Sequence, residues 1–261
     1  MSRSKINNDA NKRVKQIALI LGALAIMVLL VSAANFVRNN TSTVLNINID
    51  TLGEKKSMLV QKDIKDIIER TDGFDLVGLP INEIDVLSVE NLLKNVPHIK
   101  DANVHVCAQN EVNINVIPRK AIIRIVDEFG SDYYLDENGI RLPISSNFTP
   151  RVIVAHGKIP QYHDRAFEEK KGILYDIYSL GLKMRQDPFL TAQIDQIFIN
   201  ENQEVELIPK IGKQEILFGS FDDMEDKLEN LVAFYNNGIA YKGWRRYSKI
   251  DLRYDKQVVC K

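Results

Sequence analysis

The 261-residue chain is 45% hydrophobic and 26% charged, with 34 basic against 35 acidic side chains and a formal net charge of −1. That is ordinary globular composition, with room for one to three domains. Two cysteines, Cys107 and Cys260, exclude a disulfide-rich scaffold and lack the close spacing of a zinc or redox motif.

Residues 1–16 form a basic tail, with Arg3, Lys5, Lys12, Arg13 and Lys15 against Asp9. Residues 17–37, IALILGALAIMVLLVSAANFV, hold no charge. About 20 apolar residues in a helix cross a hydrocarbon core of ~30 Å, so this block is expected to be a transmembrane helix. The basic flank precedes it, which places the N-terminus in the cytoplasm and the rest outside. A cleaved signal peptide is the competing reading, with VSA before Ala34 as its cleavage site. The apolar run exceeds the ~7–15 residues of a usual signal core, which favours a retained anchor. Residues 1–38 hold six of the basic and one of the acidic residues, leaving 28 and 34, a net of −6. A body of that balance is a poor nucleic-acid binder, because phosphate binding relies on a positive field.

Residues 38–43, RNNTST, read as a short polar linker. VLNINID (44–50) alternates as a strand. In VQKDIKDIIERTDG, Val60, Ile64, Ile67 and Ile68 recur at helical spacing. LSVENLLKNVP reads as a second helix, with Ser88 as N-cap and Pro97 as its stop. IKDANVHVCAQNEVNINVIPR reads as two strands around Gln109-Asn110. Strand, helix, helix, strand, strand within residues 44–119 implies a small α+β module, with the helices on one face of a three-stranded sheet.

Residues 120–261 read as a second, β-rich α+β domain, mostly antiparallel and with two helices. AIIRIV, DYYLDENGIRLPI and RVIVAHG are strands, with Asp136 to Gly139 as a tight turn. A long helix is expected from about Asp164 to Arg185, with Pro188 beyond its end. AQIDQIFIN, EVELIP and QEILFG are further strands. SFDDMEDKLENLVAFYNNG is the second helix, with Asp222 and Glu225 as a capping box and Gly238 closing it. From Ile250 the chain alternates to its last residue, so one half-buried strand is expected there.

Catalytic chemistry has little to stand on. The four histidines (His98, His105, His156, His163) make no HExxH, and there is no GxGxxG, Walker or GxSxG motif. His105 and Cys107 share a strand face, but two ligands make a poor metal site. The acids of FDDMED and AFEEKK sit at helix starts, where they favour the positive dipole end. In WRRY, Trp244 and Tyr247 are expected to cover the core edge while the arginines are solvated. No catalytic residue, cofactor or metal ligand is assigned. A disulfide between Cys107 and Cys260 would tie the last strand to the first domain; two free thiols are the competing reading.

Tail, anchor, β-α-α-β-β module and β-rich domain together resemble the FtsQ/DivIB family of bacterial cell-division proteins, and the module resembles a POTRA domain. The resemblance is carried by VPHIKDANVHV…NEVNINVIPRKAIIRIV, by YYLDENGI and, most specifically, by IDLRYDKQVV. It implies a non-enzymatic, single-pass scaffold of the divisome in the inner membrane, enriched at the septum, with its C-terminal domains in the periplasm. The implied partners are small bitopic division proteins of the FtsB/FtsL type and other divisome proteins, with no small-molecule substrate. In the family the last strand receives a β-strand from a partner, and the matching positions are Arg253, Tyr254, Lys256, Gln257 and Val258. Ile250, Leu252 and Tyr254 are then expected on the core, with the backbone from Arg253 to Val258 as the docking edge. Well-studied members continue into a longer tail with a tryptophan; this sequence stops at Lys261, which implies a shorter or differently anchored contact. The alternative is another POTRA-bearing envelope assembly or transport component. Those usually continue into a barrel of many ~10-residue alternating segments, and the strands here are too few and are interrupted by helices.

Overall fold

The computed structural model describes residues 19–33, 41–51, 53, 56–72, 75–107, 109–239, 243, 246–255 and 257–261. The basic tail 1–16, residues 38–40 of the expected linker, Trp244, Arg245 and Lys256 lie outside the described residues. Of the apolar block 17–37, residues 19–33 are helical (α1) with exposed side chains. No helix among the described residues is long and apolar enough to cross a membrane.

The chain divides into two compact units. The first draws on the stretches up to Asn48, Gln61–Leu93 and Ala102–Asn115; the second on Ile49–Val60, Lys94–Asp101 and Val116–Lys261. The first unit follows the expected order: β1 (Val44–Ile49), α2 (Gln61–Asp72), α3 (Val86–Lys94), β2 (Ile99–Val106) and β3 (Glu111–Pro118). Its sheet has the order β1-β3-β2. The apolar positions at helical spacing, Ile64, Ile68, Val89 and Leu93, are buried, as are the alternate strand residues Val104, Val112 and Ile114. The opposite sheet face carries an amide ladder, Asn46 to Asn113 at 3.2 Å and Asn48 to Asn115 at 3.4 Å. Residues 41–43 are not a free linker: Ser42 is buried and its amide donates to the Leu79 carbonyl at 2.9 Å. Ser88 is not the N-cap of α3, because the helix starts two residues earlier and the Asp85 carboxylate accepts from the Ser88 amide at 3.1 Å.

The second unit holds β4 (Ala121–Val126), β5 (Asp132–Asp136), β6 (Arg141–Pro143), β7 (Ile153–Gly157), α4 (Arg165–Glu169), α5 (Ile173–Gln186) and α6 (Pro188–Gln193). β8 (Ile194–Ile199), β9 (Val205–Pro209), β10 (Glu215–Gly219), α7 (Met224–Phe234), β11 (Lys249–Asp251) and β12 (Val259–Cys260) follow. Nine strands form one sheet in the order β12-β11-β10-β9-β8-β7-β4-β5-β6. Hairpins give antiparallel neighbours, whereas β4/β7, β7/β8 and β10/β11 are parallel; β5 and β6 intervene in the first pair and helices carry the chain between the other two. Tyr133, Ile123, Ile177, Ile197 and Phe218 are among the fully buried residues of the main core. Gly157 has φ +106, and a Cβ there would lie 2.2 Å from the Ile199 carbonyl, so only glycine lets β7 approach β8.

Two helices become four. The expected helix from Asp164 breaks after α4, where Lys170 (φ 53) and Gly172 (φ 93) turn left-handed. Pro188 lies beyond the end of α5 at Gln186, as expected, and it also opens α6, whose first turn is capped by the Asp187 carboxylate accepting from the Phe189 and Leu190 amides. The capping box on α7 is absent: its N-cap residue Asp223 makes no side-chain cap bond, and Asp222 accepts from the Ser220 hydroxyl instead. Past Phe234 the helix widens into a π turn, Tyr235–Ile239, so Gly238 lies inside a turn rather than ending one. Tyr247 of WRRY packs on Phe234, ring centroids 5.7 Å apart.

The expected single terminal strand is two strands and a turn. Ile250 and Leu252 are buried and the Leu252 amide donates to the Leu217 carbonyl at 2.8 Å. The chain then leaves the sheet, and Tyr254 is 54% exposed rather than on the core. It reverses through a turn closed by the Gln257 amide on the Tyr254 carbonyl (3.3 Å) and returns as β12, antiparallel on β11. The cause is local: the Asp251 carboxylate accepts from the Arg253 amide at 3.1 Å, a side-chain turn that competes with ladder bonding.

Candidate docking edge

Two sheets present four edges, and three of them carry a side-chain block. On the free edge of β1, Gln61 Nε2 donates to the Ile47 carbonyl at 2.6 Å. On β2, the Glu90 carboxylate accepts from the Val104 amide at 2.8 Å. On β6, Pro143 has no N–H to offer, and its carbonyl lies 2.8 Å from His98 Nε2. Such devices suppress strand addition.

The fourth edge, β12, differs. Lys249 and Lys261 exchange both backbone bonds at 3.1 Å. Asp251 and Val259, two residues further along an antiparallel ladder, form the next hydrogen-bonded pair, and Ile250–Cys260 falls between them. The backbone N–H and C=O of Val258 and Cys260 consequently point away from β11, with no partner among the described residues. Side chains hold the strand from behind, since Val258 and Cys260 pack against the main core.

The expected contact residues divide by role. Arg253 is exposed but tied down: Nε and Nη2 bind the Asp251 carboxylate at 2.9 and 2.8 Å, and Nη1 lies 3.9 Å from Glu204. Its side-chain hydrogen bonds with Asp251 raise the guanidinium above its ordinary value and hold the Asp251 carboxyl below the usual carboxylate range. Gly219 permits this packing, because a Cβ there would lie 2.6 Å from Arg253 Cγ. Tyr254 and Gln257 are exposed at the turn, Val258 is half-buried, and Lys256 lies outside the described residues. A hollow of about 230 Å³ beside the turn is lined by Asp222, Asp223 and Asp226 of the α7 start and by Tyr254 and Asp255. Sequence reasoning missed Cys260 as an edge residue. Asp251 was the available signal, since a strand ending in Asp favours a turn two residues on.

Cys260 is half-buried and burial raises its thiol; Cys107 is exposed, and both are free. Cys107 Sγ accepts from Asn113 Nδ2 at 3.1 Å, and no cluster of three metal-ligating side chains stands among the described residues.

None of the curated proteins is significantly similar to the chain. The profile described as a POTRA-like domain matches residues 41–117, and the profile described as FtsQ/DivIB, C-terminal related, matches residues 120–261. Proteins of these families are generally non-catalytic scaffolds, and FtsQ/DivIB proteins are division-related and generally anchored in the membrane at the septum. With more than half its length matched by that second profile and a POTRA-like domain ahead of it, the chain belongs to the FtsQ/DivIB family.

Proposed function

We propose that the chain is a single-pass, non-enzymatic scaffold of the bacterial division machinery that captures small bitopic partners of the FtsB/FtsL type by strand addition at β12. The outer edge of β12 carries this reading: Val258 and Cys260 direct outward backbone groups that have no partner among the described residues, while β1, β2 and β6 are each blocked. Backbone bonds along the edge supply affinity. Tyr254, exposed at the adjoining turn, supplies an aromatic contact. Arg253 positions the turn through Asp251 and stays exposed beside Tyr254.

The apolar block 17–37 serves as the anchor, with residues 1–16 cytoplasmic and both folded units periplasmic. The FtsQ/DivIB match over residues 120–261 favours division over another envelope assembly or transport role. Pull-down from envelope compares the full chain with one lacking Val258–Lys261. Loss of FtsB/FtsL-type partners with the shortened chain supports the reading; equal capture by both sinks it. A tagged full chain concentrated at midcell supports division, and a uniform envelope signal overturns it.

A further inference from the structure

A second surface of the nine-stranded unit has the chemistry of a docking site. An open hollow of about 620 Å³ lies where β4 and β7 begin, beside the end of α5 and the start of α6. That size falls in the range of ligand pockets. Ile122, Phe148, Val152, Ile153 and Pro188 give it apolar walls. Its charged lining residues are Arg151 and Arg185, with no carboxylate. A smaller hollow adjoins it through Ala121, Phe148 and Pro150 and adds Lys56, Arg119 and Lys120, again without an acid.

The two arginines stand apart from their neighbours. Arg119, Arg124, Arg165 and Arg253 each pair with an acid. Arg185 donates from Nη1 to the Ala121 carbonyl at 2.6 Å, which fixes the guanidinium at the wall, and it has no acid partner among the described residues. Arg151 is exposed and likewise has none. The positive field extends outward from the hollow: the Glu137 carboxyl is held low by Lys100 first, with Arg185 and Lys120 contributing. This happens in a body whose residues from 39 onward carry a net of −6.

We propose that this hollow docks an acidic, amphipathic segment of a partner protein, one apolar side chain entering between the walls and a flanking carboxylate lying on Arg151 and Arg185. Guanidinium forks suit a carboxylate, and apolar walls beneath them suit a side chain attached to it. The mouth is open to solvent, which fits a chain passing across it. In sheet order, β7 and β4 lie five and six strands from β12, so this site is separate from the strand edge.

The test titrates the full-length chain with a short, capped, fluorescent peptide alternating glutamate and leucine, and with its lysine–leucine counterpart. The expected result is saturable binding of the glutamate peptide alone, weakened about tenfold by Arg151→Glu and also by added salt. Arg151→Lys retains most of the binding. Because Arg185→Gln also removes a backbone contact, the readout is repeated on Val152→Asp, which fills the apolar wall with charge and also abolishes binding. No binding of the glutamate peptide, equal binding of both peptides, or insensitivity to Arg151→Glu overturns the proposal. So does binding of phosphatidylglycerol vesicles in its place.

Discussion

Arg253 and Asp251 hold each other through three hydrogen bonds, two from the guanidinium at 2.9 and 2.8 Å and one from the Arg253 amide at 3.1 Å. This fork turns the chain out of the sheet after Leu252 and makes room for β12.

The Arg253 hydrogen bonds hold the Asp251 carboxyl low, against the opposing push of burial. A depressed folded-state value stabilises the fold fully above the unfolded value, near ~4, and that stability is lost as pH falls through the folded value. Asp251→Asn is expected to lower stability by about 1–2 kcal/mol at neutral pH. The difference from the parent shrinks in acid below the unfolded value. Urea midpoints at neutral pH and in acid measure both.

Proline separates the two faces of β12. The Cys260 amide points outward, so Cys260→Pro is expected to abolish partner capture while the unit stays folded. The Val259 amide bonds inward to Asp251, so Val259→Pro is expected to break the hairpin, at roughly 3 kcal/mol. Pull-down and thermal melting of both variants check the pair; capture by Cys260→Pro at parental strength contradicts the edge assignment.

Asp136 is almost wholly buried, pairs with Arg119 at 2.8 Å and accepts from the Asn138 and Ile140 amides at 2.8 Å. Asp136→Ala strands a buried guanidinium and two turn amides, an expected loss of about 3–5 kcal/mol. Denaturant unfolding of the variant measures it, and a loss within experimental scatter of the parent refutes the buried-pair account.

Glu90→Ala removes the block on β2 and leaves the Val104 amide without its acceptor. The expected cost is about 1 kcal/mol, with increased self-association at high concentration. Sedimentation velocity and amide exchange at Val104 report the two effects separately.

The first unit was largely legible from its periods: Ile64 and Ile68, Val89 and Leu93, Val112 and Ile114 all face inward as their spacing requires, whereas Val60 lies exposed ahead of α2 and Ile67 is only half-buried. The second unit was legible in its strands and less so in its breaks. Asp187-Pro188 marks the stop of α5, as its position implies, and also a helix start, whose cap and first-turn proline were both visible. The left-handed Lys170 and Asp223 left no such mark, since neither residue type demands positive φ. Alternation from Ile250 placed Ile250 and Leu252 on the core but put Tyr254 there too, because it did not show that Asp251 would compete with the ladder. That β12 is open while three edges are blocked depends on Gln61, Glu90 and His98 reaching other strands, which sequence spacing does not encode.

The strand order also runs in time. From β7 outward the sheet adds β8, β9, β10, β11 and β12 in the sequence in which a ribosome delivers them, and β12 follows every other strand. A chain cut before Val259 lacks β12 and leaves β11 as the outer strand. The proposed docking edge is thus laid down only after the sheet behind it has been delivered.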